Sequence, residues 1–225
     1  MLARTLGEPS TLALALFMET QVHQLRRDWR AQRERAADVI ALADVQGLPF
    51  FRDLGRMFYG VARINAGEGG DALTEAAEGL ALAAGTGHRG GIPAYLSALA
   101  DAQRAAGQHA AALGTVEAGL AMATETGQHF WDAGLYHLKG ELLLDTDPAN
   151  SAEAEALFCR ALDIARAQEA KSFELRAATS LARLWQCQGK RAEARALLAP
   201  VYAWFTEGFD TGDLVEAKAL LDELT

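Results

Sequence analysis

At 225 residues, half of them apolar and only 8% aromatic, the chain can build a large core, chiefly from small aliphatic side chains. Its formal net charge of -9 argues against a general nucleic-acid binder, which needs an excess of Lys and Arg to neutralise phosphates. Two cysteines, Cys159 and Cys187, are too few for a disulfide framework and read as buried, reduced thiols, which points to a cytoplasmic setting.

The first predicted helix opens near Ser10 or Thr11, either of which can cap its amides. Its apolar run LALALFM (12–18) follows Glu8 and Pro9 rather than a basic leader, so it reads as a packing helix and not a signal peptide. A second helix starts after Asp28 and ends at Gly47, and Pro49 opens the next pair. That pair breaks at Gly67 and ends before Gly87; a third pair starts near Pro93, breaks at Gly107 and closes at Gly127. The fourth begins around Phe130 and contains a longer 145–149 turn, after which Asn150 and Glu153 form a predicted capping box. The fifth starts at Lys171 and breaks at Gly189, and Pro200 predicts a kink or an early end in its second helix. A last amphipathic helix places Leu214, Ala217, Leu221 and Leu224 on one face, as a cap over the open end of a stack. No apolar run approaches the ~20 residues that span a bilayer.

These pairs repeat. AGEGGDALTEAAEGLALAAGTGH and AGQHAAALGTVEAGLAMATETGQ lie forty residues apart and align without a gap, matching at Gly67/Gly107, Ala72/Ala112, Gly79/Gly119 and Gly87/Gly127. The same register stacks small residues in the first helices, at Thr20, Gly60, Ala100, Gly140 and Ala182. In the second helices it stacks Gln32, Ala72, Ala112, Ala154 and Ala194, then Ala36, Ala76, Val116, Phe158 and Leu198, then Val39, Gly79, Gly119, Ala161 and Val201. Spacings of four and three hold these columns on one helix face. The expected architecture is all-α: a right-handed α-solenoid of about five helix-turn-helix repeats with a period near 40, plus a C-terminal capping helix. It forms one domain over 1–225, with repeats at about 9–47, 48–87, 88–127, 128–169 and 170–208 and the cap at 212–224.

The columns resemble tetratricopeptide (TPR) repeats in a long form, most plainly in the fourth repeat with Gly140, Ala154, Phe158 and Ala161. Longer strings carry a second resemblance: LYHLKGELLL (135–144), AEALFCRALDIAR (154–166), AKSFELRAATSLARLW (170–185) and GKRAEARALLAPVYAWFTEGFDTGDLVEAKALLDEL (189–224). They look like the C-terminal helical arm of large bacterial signalling proteins, in which an adenylate/guanylate cyclase domain or other regulatory head precedes a STAND-type ATPase. The resemblance implies a noncatalytic interaction or scaffold arm in signal transduction, with cyclase or ATPase head domains among its partners.

The residues themselves supply no engine. The sole Gly-Lys pair, Gly189 and Lys190, is followed by Arg191, so no phosphate-binding loop is present. The five histidines include no pair at a spacing of four, and no catalytic residue, metal site or cofactor is expected. The arginine cluster Arg26, Arg27, Arg30, Arg33 and Arg35 reads as a solvated face, against an alternative contact with an acidic partner. In a repeat array the first helices line an inner groove. Positions three before, one after and four after the small column mark its candidate wall: Ser97, Asp101 and Arg104; His137, Glu141 and Leu144; Thr179, Arg183 and Gln186, with Arg176 nearby. The same positions are greasier in the first two repeats, with Phe17, Gln21 and Gln24, then Met57, Val61 and Ile64. The expected partner is a protein or peptide in this groove. The alternatives are a self-associating oligomeric scaffold, or a fragment of a larger cyclase or ATPase.

Overall fold

The computed structural model describes residues 8–225, which form eleven α-helices, two short 3-10 turns and no strand. Two compact units divide the chain, Met1–Gln108 and His109–Thr225. The N-terminal unit holds α1 (Pro9–Leu25), α2 (Trp29–Gln46), α3 (Pro49–Asn65), α4 (Ala72–Gly85) and α5 (Ile92–Ala105). The C-terminal unit holds α6 (His109–Thr126), α7 (Asp132–Thr146), α8 (Ser151–Ala167), α9 (Lys171–Cys187), α10 (Arg191–Ala203) and α11 (Gly212–Glu223). The division falls inside the repeat expected at 88–127, between its two helices.

Within each unit every helix packs on the next in sequence, and the first helices also pack on one another: α1 on α3 and α3 on α5, then α7 on α9 and α9 on α11. The small columns explain this order. Every residue of the four columns read from the sequence is buried. A Cβ added at Gly60 would lie 2.4 Å from the Ala72 carbonyl oxygen and 3.0 Å from the Ala76 Cβ, so α3 meets α4 backbone to backbone. Gln32, which interrupts the alanine column, is also buried and donates its amide to the Phe58 carbonyl at 3.0 Å, tying α2 to α3. Phe17 sits edge-on to Phe51, Phe58 and Tyr95, closing the middle of the N-terminal unit.

The turns keep the period as well. Gly47, Gly87 and Gly127 all take a positive φ, of 67°, 83° and 70°, where a side chain is strained. In the next repeat Glu169 holds that position at φ 55°. Asp28 caps α2 by accepting the Ala31 amide at 3.1 Å, as its position suggests.

Several local expectations need correction. α1 begins at Pro9 with Glu8 at its cap, not at Ser10 or Thr11, because a proline fits the first helical turn, where an amide has no helical partner. Asn150 forms no capping box; its amide reaches back to the Leu143 carbonyl at 3.2 Å, and Asp147 instead accepts the Ala149 amide inside the preceding 3-10 turn. α10 runs on through Pro200 to Ala203, so the helix does not end at the proline, whose ring is exposed. Of the two free thiols, Cys159 is half-buried and Cys187 is exposed at the end of α9, so the expectation that both are buried fails for Cys187. The 12–18 segment lies inside α1, where Ala13, Leu16 and Phe17 face the core. No helix among the described residues is long and apolar enough to cross a membrane.

Candidate functional site

The stacking of first helices on one another decides which side chains are accessible. In the N-terminal unit, Ser97, Asp101 and Arg104 lie on α5 and are half-buried. Their apolar counterparts Phe17, Met57 and Val61 are wholly inside the unit, so they form core and not a greasy end to a groove. Gln21, at the corresponding position on α1, bonds the Tyr95 phenol, which burial pushes up to about 12 against that hydrogen bond.

The C-terminal unit brings the remaining candidates into one polar seam along α7, α9 and α11. His137 on α7 lies 2.9 Å from the Ser180 hydroxyl on α9 and 3.8 Å from the Glu141 carboxylate one turn along its own helix. Its ring also rests beside that of Phe158, with centroids 5.8 Å apart. Thr179 is buried and donates to the Leu175 carbonyl at 2.8 Å. Arg176 meets Asp213 at 2.7 Å, Arg183 meets Glu216 at 2.8 Å, and Gln186 donates to Glu223 at 3.1 Å. Three of the candidate residues on α9 therefore hold the capping helix. Among these, Arg183 and Glu216 remain the open pair, with side chains 46% and 37% exposed.

Sequence reasoning missed the acidic partners on α11 and the role of Ser180. The visible signal was the recurrence of Asp213, Glu216 and Glu223 along one short helix that faces the basic residues of α9. It also missed Glu174, buried at the start of α9 between Arg166 at 3.1 Å and Lys171 at 2.7 Å. Burial raises this carboxyl, but the hydrogen bonds and charges of Lys171 and Arg166 outweigh it and leave the group below the ordinary glutamate value. Glu155 is likewise lowered, first by the Trp185 indole that donates to it at 2.9 Å, against some burial, and then by Gln188. Both carboxylates join neighbouring helices, a structural use of charge.

Other chemistry-bearing residues are engaged in the same way. Arg30 pairs with Glu34 and Arg35 with Asp38, while Arg33 pairs with Glu68 and lies over the Tyr59 ring. Arg63 gathers Glu68, Asp71 and Glu75 within 3.4 Å. A surface cleft of about 270 Å³ between α3 and α4 is lined by Arg56, Thr74, Glu78 and Leu82 together with Asp71 and Glu75. Burial first, then the nearby Glu155 and Asp163 carboxylates, raise the Cys159 thiol, which disfavours the reactive thiolate. Among the described residues no group of three or more His, Cys, Asp or Glu is placed to hold a metal ion.

No protein-family model matches the chain, and no curated protein matches it either. Solved structures do. A Podosopora anserina kinesin light chain-like protein with nearly identical TPR-like repeats superposes with a TM-score of 0.57 at 22% identity, over 87% of this chain and 95% of that one. A singly substituted form of that protein gives 0.58 at 22% identity, over 87% and 94%. At this identity the likeness concerns the fold: the chain is an all-helical, TPR-like repeat solenoid.

Proposed function

We propose that the chain is a noncatalytic protein-interaction module that binds a peptide or helix of a partner protein along its first helices. Glu141 on α7 and Arg183 and Gln186 on α9 supply the polar contacts. The observation that carries this reading is the row formed by α7, α9 and α11, in which adjacent first helices present charged and amide groups at the surface while their apolar faces are committed to packing. Such a wall offers charge-assisted hydrogen bonds to an extended backbone or a polar helix face. The further reading, as the regulatory arm of a cyclase or STAND-type assembly, rests on the 135–224 strings and makes a head domain of that assembly the natural partner.

The test starts from a random-peptide display selection on the immobilised protein. The tightest peptide is then titrated against wild type and the variant Arg183→Glu. Loss of roughly tenfold or more in affinity is expected for charge reversal at a contact, while loss of the exposed Arg183–Glu216 pair should lower melting only slightly. Equal binding by both proteins would overturn the site. Nucleotide cyclisation or hydrolysis by the purified chain would overturn the noncatalytic reading.

A further inference from the structure

The outer face of α1 is out of character with the rest of the array. Leu14, Met18 and Val22 follow one another at one helical turn each and are 46%, 45% and 52% exposed. Forty residues on, the same register positions are Leu54, Phe58 and Ala62, and eighty on they are Ala94, Ala98 and Ala102; all six are buried. In α7 the positions are Gly134, Leu138 and Leu142, again buried. The covering groups come from the neighbouring repeats on both sides: the Phe58 ring meets Phe17 of α1 at 5.6 Å and Tyr95 of α5 at 6.0 Å, the Phe58 carbonyl accepts from Gln32 of α2, and a Cβ added at Gly134 would lie 3.0 Å from the Phe173 ring of α9. The α1 stripe therefore continues the surface that joins consecutive repeats, and its apolar side chains are left facing solvent.

We propose that this stripe pairs with the same stripe of a second copy, the two α1 helices running antiparallel about a two-fold axis at Met18. Such an interface is self-complementary, since each residue meets one equally far on the other side of the axis. Leu14 of one copy faces Val22 of the other, Thr11 faces Leu25, and the Met18 side chains meet on the axis. The charges at the ends of the helix agree with this arrangement. At 3.6 residues per turn, Glu8 and Arg26 both fall about 80° to the same side of Met18, and their heights on opposed helices differ by only about 3 Å. Both are exposed, so the pairing sets two Arg26–Glu8 ion pairs along one edge of the seam. Glu19, about 100° from Met18 on the same side, lies just outside that edge and close to the axis, between the two ion pairs. A head-to-tail arrangement lacks this match, because the exposed stripe of α11 sets Lys218 and Asp222 beside Val215 and Ala219. The pairing uses none of the candidate binding residues on α5, α7 and α9.

One helix per copy buries less than the ~1,600 Å² of a standard interface, so the dimer is expected to form with a dissociation constant in the micromolar range. Sedimentation velocity of the 225-residue protein over a concentration series tests it. The wild type should rise from the monomer mass to twice that mass and no further. Met18→Arg should stay at the monomer mass. Arg26→Glu should raise the midpoint concentration about tenfold, and adding Glu8→Arg should restore it, which keeps the test decisive even if Met18→Arg folds poorly. A wild type that stays monomeric throughout would overturn the proposal and leave the stripe to a helix of another protein. Association unchanged in Met18→Arg, or growth beyond the dimer, would also overturn it.

Discussion

The Arg176 guanidinium on α9 meets the Asp213 carboxylate in the first turn of α11 at 2.7 Å, with side chains only 16% and 10% exposed. This ion pair fastens the last helix to the row of first helices, and the more open Arg183–Glu216 pair follows it three residues further along α11. Removing one partner of a largely buried pair leaves an uncompensated charge, so Arg176→Met should cost about 3 kcal/mol. Native-state hydrogen exchange should locate the loss in α11 before α7. Uniform loss across the C-terminal unit would show that α11 is not a separable cap.

A Cβ placed on Gly140 would lie 2.6 Å from the edge of the Phe158 ring, in the centre of the α7–α8 pair. Helix propensity alone favours Gly140→Ala by nearly 1 kcal/mol, but the overlap works against it in a close-packed site. The overlap should win, and the variant should be less stable by about 1–2 kcal/mol in urea unfolding. Combined with Phe158→Leu, which removes the obstructing ring, the two losses should sum to less than their separate values. Full additivity would mean that the ring does not set the helix spacing.

Glu169 occupies the left-handed turn position that Gly47, Gly87 and Gly127 hold in earlier repeats. Its side chain is exposed, so replacement removes strain without emptying the core. Glu169→Gly should gain up to about 1 kcal/mol, the backbone relief being partly offset by the freedom that glycine adds to the unfolded chain. Thermal and urea unfolding of the variant give this sign directly.

Glu174 makes stability depend on acidity. Its carboxyl is held below the ordinary glutamate value of 4.5 in the folded chain, so its contribution is fully present above that value and is lost as the pH falls through the lower folded value. The unfolding free energies of wild type and Glu174→Gln should therefore differ most near neutrality and converge on the acid side. A constant difference from neutral pH to about pH 3 would contradict the ion-pair account.

Much of the fold was legible because it is written locally. Gly60, Gly140 and the alanine columns recur at a fixed period, and the steric need for a small residue is visible before any neighbour is known. The candidate wall was less legible because periodicity identifies a face and not its neighbour. Thr179 and His137 were placed on an accessible stripe, yet the first is buried and the second is spent on Ser180, because first helices pack on one another as well as on their partners. The contacts that decide exposure join residues 43 apart, as His137 and Ser180, or 37 apart, as Arg176 and Asp213. Small polar residues such as Ser180 carry no periodic mark that would reveal such a partner.

If partners engage the row of first helices, a nitroxide on the selected peptide should report it by paramagnetic broadening. In the complex, the amides of α7 and α9 around Glu141 and Arg183 should broaden strongly, while those of α8 and α10 remain sharp. Broadening confined to α8 and α10 would instead place the binding surface on the second helices.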